Sequence, residues 1–93
     1  MIESFACQDT RSVYGGSKSK KFPPAIQQTA RRKLIYLNEA QVLDDLRSPP
    51  GNRLEALKGD RVGQYSIRIN LQWRICFRWK DGFAKDVEIV DYH

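Results

Sequence analysis

The chain has 93 residues, of which 41% are hydrophobic and 29% charged, and 16 Lys and Arg against 11 Asp and Glu give a formal net charge of +5. That length makes one small domain spanning residues 1–93, and the apolar content is enough for a core, which excludes overall disorder. The basic balance favours a polyanionic partner such as nucleic acid. Neither a signal-peptide pattern nor an apolar run long enough to cross a bilayer is visible, so the expectation is a cytoplasmic protein with no membrane contact.

Met1 to Ala6 reads as a short opening strand with Ile2 and Phe5 turned to the core. Asp9-Thr10 is placed to cap a short helix carrying Val13 and Tyr14, which Gly15-Gly16 stops. Residues 15–21, GGSKSKK, form a basic glycine-serine loop with no apolar anchor, expected to be mobile. Either it is a solvated connector, or Lys18, Lys20 and Lys21 make it an arm that meets phosphates or a protein partner. Pro23-Pro24 opens the next element, because proline fits the first turn of a helix. There Ile26, Ala30, Leu34 and Leu37 recur at helical spacing as one apolar stripe, with Arg31 and Arg32 elsewhere on the cylinder. Val42, Leu43 and Leu46 predict a further short helical segment, and Ser48-Pro49-Pro50-Gly51 a rigid turn onto a sheet.

From Arg53 onward the pattern is antiparallel sheet: a strand over Arg53 to Leu57, a turn at Lys58 to Arg61, and a central pair over Val62 to Asn70 and Gln72 to Trp79. Asp81-Gly82 turns into a last strand, Ala84 to Val90. Matching the apolar faces opposes Ile67 to Ile75 and Ile69 to Trp73, which puts Arg68 directly across from Arg74 on the other face. Like charges opposite one another on a sheet are unfavourable, so a sheet that accepts this pair is expected to offer it an anion. The next register opposes Phe77 to Val87, Ile75 to Ile89 and Arg78 to Asp86. It leaves Tyr92 diagonally beyond Arg74, so Arg68, Arg74 and Tyr92 are expected to meet at one end of the sheet, near His93.

The chemistry follows from that inventory. The single histidine is the last residue, no Cys/His cluster or spaced carboxylate set offers a metal site, and Cys7 and Cys76 lack CxxC spacing, so they are expected as free thiols. No metal and no cofactor is expected. Two arginines, a tyrosine, a histidine and the aspartate Asp91 suit cleavage of an RNA phosphodiester, in which the 2′-hydroxyl attacks phosphorus, cations stabilise the phosphorane and an acid protonates the leaving oxygen. The same residues fit a plainer reading, a frayed terminal histidine and a tyrosine that caps the core. Two classes therefore stay open on the residues alone: a metal-free ribonuclease acting on free RNA, and a non-catalytic module that binds RNA or the ribosome.

Residues 47–79, RSPPGNRLEALKGDRVGQYSIRINLQWRICFRW, and the terminal EIVDYH resemble HigB-type toxins of bacterial type II toxin–antitoxin systems, within the RelE superfamily and closest to its GraT branch. The PPGNRLE turn, the NxQWRxxF strand and the closing DYH carry the resemblance. It implies a small α+β RelE-like fold, a twisted antiparallel sheet with two or three helices packed on one face. It also implies ribosome-dependent cleavage of messenger RNA in the decoding site, and a HigA-type antitoxin with a helix-turn-helix. On this resemblance Asp91, Tyr92 and His93 match the family's C-terminal site residues, with Arg68 and Arg74 as its sheet arginines. Lys18, Lys20, Lys21, Arg31, Arg32, Arg53 and Lys58 are the candidate contacts to RNA and ribosome. Some relatives carry a further histidine on the sheet; this chain has none there, and Arg53, Lys58 or Tyr65 would take its place.

Overall fold

The computed structural model describes residues 1–92, so His93 lies outside the described residues. Two α-helices, α1 (Gln8–Tyr14) and α2 (Pro24–Glu39), precede a sheet of β1 (Glu55–Ala56), β2 (Tyr65–Arg68), β3 (Trp73–Lys80) and β4 (Phe83–Asp91). Short 3₁₀ turns at Leu43–Arg47, Pro50–Asn52 and Gly59–Arg61 fill the connections. The strands lie in the order β1-β2-β3-β4, every neighbouring pair antiparallel. This is the expected α+β arrangement, with both helices on one face of the sheet.

Helix α2 forms where its apolar stripe predicts: Ile26, Ala30, Leu34 and Leu37 are all buried, and they meet Ile67, Ile69, Ile75, Phe77, Val87 and Ile89 from the sheet. Pro24 opens it, where the missing N–H removes no helical bond. Helix α1 starts earlier than its expected cap. Cys7 is the residue before the helix, in an extended conformation, and Thr10 lies within it. Freed from capping, the fully buried Thr10 hydroxyl accepts a 3.0 Å hydrogen bond from the Ile89 backbone N–H and pins α1 to β4. Asp9 instead accepts the Ser19 hydroxyl at 2.9 Å.

The β2–β3 register is the one that the alternation predicts: Ile67 faces Ile75 and Arg68 faces Arg74. Ile69 continues it, its N–H donating to the Trp73 carbonyl at 2.9 Å. The first two strands are shorter than expected: β1 covers only Glu55–Ala56 of the expected 53–57, and β2 begins at Tyr65 because Gly63, at φ +90, still belongs to the preceding turn. Between β3 and β4 the register holds through Ile75–Ile89 and Cys76–Glu88, then shifts by one, so that Arg78 opposes Lys85 and not Asp86. Asp86 is the extra residue, at φ +52, its N–H bound to the Ser4 hydroxyl at 2.9 Å. Despite the shift, its carboxylate stays 3.6 Å from the Arg78 guanidinium. The opening segment is not a continuous strand. It makes two isolated parallel bridges to β4, Ile2 to Ala84 and Phe5 to Val87, and covers that edge of the sheet.

Candidate functional site

The face of the sheet away from the helices carries Arg68 on β2 and Arg74 on β3, directly opposed. Arg74 is firmly held, its side chain only 11% exposed. Its Nε donates to the hydroxyl of the fully buried Ser66 at 2.7 Å, and its Nη2 donates to the Arg53 carbonyl at 2.7 Å. The Glu55 carboxylate lies 3.7 Å from the same Nη2, and the Tyr92 ring lies under the guanidinium with its centroid 5.5 Å from Cζ. A guanidinium has five N–H donors, so this anchoring leaves part of the fork to meet an incoming oxygen. Arg68 makes no hydrogen bond or ion pair among the described residues. Among the described residues the expected clash of like charges is therefore eased on one side only: Arg74 has Glu55, a carbonyl and an aromatic face, and Arg68 has no counter-charge.

These groups line a cleft of ≈ 370 Å³ formed by Arg53, Leu54, Glu55, Arg68, Asn70, Leu71, Arg74 and Tyr92. The β2–β3 turn supplies its rim. Asn70 accepts the backbone N–H groups of Gln72 and Trp73, both at 2.8 Å, and this tight turn leaves Leu71 89% exposed. Arg53, Leu54 and Glu55, which follow the PPGN turn, supply another wall, and the turn holds them in place. There Asn52, fully buried, donates to the Leu46 carbonyl at 3.2 Å and the Ser48 carbonyl at 3.3 Å. Arg53 follows in the left-handed region at φ +45, which aims its carbonyl at Arg74. The Asn52 side-chain oxygen accepts the ammonium of Lys33, a buried residue of α2. Burial, and then the positive charges of Arg32 and Arg68, hold Lys33 below the usual lysine range.

The structure thus brings together Arg53, Arg68, Arg74 and Tyr92 from the predicted set. Asp91 pairs with Trp73 in the ladder and accepts the Gln72 side-chain amide at 3.0 Å. Tyr65 is on the wrong face for a role beside the arginines: its ring packs against Phe77, centroids 6.2 Å apart, on the helix side. Lys58 and Arg32 are exposed and line neither this cleft nor the second groove. That groove, of ≈ 790 Å³, lies between the 15–21 loop and the helices over Val13 and Phe22, with Lys18, Lys20 and Arg31 on its walls. Lys21 turns aside, its ammonium 3.4 Å from the Cys7 sulfur and 5.7 Å from the centroid of the Phe22 ring. Both cysteines are free, and burial pushes the Cys76 thiol up. The sequence reading missed Glu55, Ser66, Asn70 and Leu71. Ser66 was on the polar face by alternation, but only the fold shows that it orients Arg74. Among the described residues no group of three or more His, Cys, Asp or Glu is placed to hold a metal ion, and no helix is long and apolar enough to cross a membrane.

A family model described as the RelE-like toxin HigB of type II toxin–antitoxin systems matches residues 3–93. The chain belongs to the HigB-like toxin family. Toxin HigB-1 of Vibrio cholerae is 46% identical over 67 residues, which span 72% of this chain and 70% of that one. Endoribonuclease HigB of Proteus vulgaris is 44% identical over 93 residues, the full length of both chains. Among solved structures, YafQ from E. coli superposes with a TM-score of 0.59 at 13% identity, covering 98% of this chain and 93% of that one. A chain of the YoeB–YefM complex from Staphylococcus aureus gives a TM-score of 0.52 at 21% identity, covering 100% of this chain and 98% of that one. At those identities the likeness is one of fold, and it bears out the RelE-like architecture expected for the HigB family.

Proposed function

We propose that this HigB-family chain is a ribosome-dependent endoribonuclease that cleaves messenger RNA in the ribosomal A site and stops translation. The observation that carries the reading is the cleft where the firmly held Arg74 faces Arg68, which has no hydrogen bond or ion pair among the described residues, with Tyr92 beneath Arg74. RNA brings its own nucleophile, so the protein has only to position it, stabilise charge and move protons. A base takes the 2′-hydroxyl proton, O2′ bonds to the adjacent phosphorus, the bond from phosphorus to O5′ breaks, and an acid returns a proton to O5′. The products are a 2′,3′-cyclic phosphate and a 5′-hydroxyl. Arg68 and Arg74 stabilise the dianionic phosphorane, Arg74 through a preset planar fork that needs no reorganisation. Proton transfer is assigned to His93 with Asp91 orienting it, and Tyr92 stacks on a base or shares the proton work. The chain acts in the cytoplasm, and its inhibitory partner is a HigA-type helix-turn-helix antitoxin, in keeping with the family.

Cleavage products in translating extracts test the reading. Message ends bearing 2′,3′-cyclic phosphate, clustered at ribosome positions, are expected with wild-type protein. Cutting of naked transcript at the same rate without ribosomes would replace it with a ribonuclease acting on free RNA. Inhibition of translation with intact message would replace it with a non-catalytic binding module.

A further inference from the structure

A buried ammonium is costly unless it serves something, because desolvation disfavours the charged form. Lys33 is 6% exposed, and among the described residues it is paired with no carboxylate. Its partner is the amide oxygen of the fully buried Asn52. The other end of that amide ties the Leu46 and Ser48 carbonyls, which closes the turn before the cleft. The next residue is Arg53, fixed at φ +45, and its carbonyl accepts Arg74 Nη2 at 2.7 Å. The route from Lys33 to the cleft is therefore one turn long, and each link is a hydrogen bond or a backbone angle.

We propose that Lys33, acting through Asn52 and the Arg53 carbonyl, positions the Arg74 guanidinium for its contact with a phosphoryl group. Lys33 is a positioning residue and does not itself touch RNA. Without the ammonium, Asn52 keeps its two carbonyl bonds but loses the brace from α2, so the 46–53 turn gains freedom and the Arg53 carbonyl no longer fixes Nη2. A misplaced fork binds the ground state nearly as well and the transition state less well, so the loss falls on the rate and not on binding. This inference rests on the reading of the cleft as the site of RNA cleavage.

The test is a double-mutant cycle between Lys33→Met and Arg74→Lys, read as single-turnover cleavage on ribosomes carrying a defined message, across a range of toxin concentration. Lys33→Met is expected to lower the saturated rate roughly tenfold while the half-saturating concentration moves less than about twofold. In the Arg74→Lys background the same change is expected to cost less than about twofold, because the group that it positions is already lost. Lys33→Gln, a neutral donor, is expected to recover part of the loss, and it takes the place of Lys33→Met in the cycle if the methionine variant is unfolded at the assay temperature. An equal loss in both backgrounds, or a loss matched by the fall in folded fraction, overturns the positioning role. An Arg74→Lys variant that cleaves as wild type overturns the reading of the cleft instead.

Discussion

At the scale of single residues, the two sheet arginines separate chemistry from stability. Arg74 is embedded: the buried Ser66 hydroxyl and the Arg53 carbonyl both depend on it. Arg68 lines the cleft with no hydrogen bond or ion pair among the described residues. Truncating Arg74 strands the hydroxyl of the buried Ser66, at about 1–3 kcal/mol, which outweighs any repulsion relieved between partly solvated guanidiniums. Arg74→Ala should therefore melt roughly 5–15 °C below wild type, whereas Arg68→Ala should stay within about 4 °C of it, as calorimetry would show. Activity should not follow that order. The lysine variant at either position keeps the charge and loses the planar two-point fork, so cleavage on ribosomes should fall on the order of a hundredfold for both. Full activity in Arg68→Lys would remove Arg68 from the chemistry and leave it a source of field alone. The sequence made this pair visible because a period of two, once Ile67 is set against Ile75, leaves Arg68 nowhere else to be. It could not show which arginine is held, since that depends on a serine and a carbonyl from other parts of the chain.

At the scale of elements, the bulge in β4 shows what alternation does and does not encode. Ala84 and Val87 are both fully buried, three residues apart, and a regular strand would place them on opposite faces. That odd spacing is the mark of an extra residue, and it was legible in the chain. The Arg78–Asp86 pairing hid it, because the ion pair that a regular register would make persists at 3.6 Å through the bulge. The termini of β1 and β2 were less legible, since their ends depend on left-handed positions such as Arg53 and Gly63 and not on hydrophobic period. The bulge makes a prediction against ordinary strand propensity. Valine favours strands, so Asp86→Val would stabilise a regular β4; at φ +52 it should instead cost roughly 1–2 kcal/mol, a fall of about 5–15 °C in melting temperature. The lost surface ion pair adds little to that. Asp86→Gly, which suits the angle, should melt near wild type. A valine variant as stable as wild type would mean that the ladder relaxes to the regular register.

At the scale of the whole molecule, the chain carries a net charge of +5, and six of its 16 Lys and Arg residues line two concave regions: Arg53, Arg68 and Arg74 the cleft at the β2–β3 turn, and Lys18, Lys20 and Arg31 the groove under the 15–21 loop. The sequence separates the sheet arginines from the RNA-contacting cations, and geometry moves one of the latter, Arg53, into the cleft beside Arg68 and Arg74. Lysines without fixed partners attract polyanions through long-range charge, whereas chemistry needs an oriented fork. The loop is tied to α2 at Ser19, whose N–H donates to the Gln27 side chain at 3.0 Å and whose carbonyl accepts the Gln27 amide at 2.7 Å. Whatever motion the loop has, its cations stay on the α2 side of the molecule. Replacing Lys18 and Lys20 with serine should therefore weaken ribosome binding without changing the saturated cleavage rate. The loss should be greatest at low salt and nearly gone by about 0.5 M, where the screening length falls to a few ångströms. Lys21→Ser should weaken binding less than either neighbour, because its ammonium is directed to the Cys7 sulfur and the Phe22 ring. Binding titrations at several ionic strengths decide the matter. A loss that does not depend on salt would mean that these lysines make short-range contacts to RNA, and a fall in the saturated rate would make the groove part of the site that positions the message.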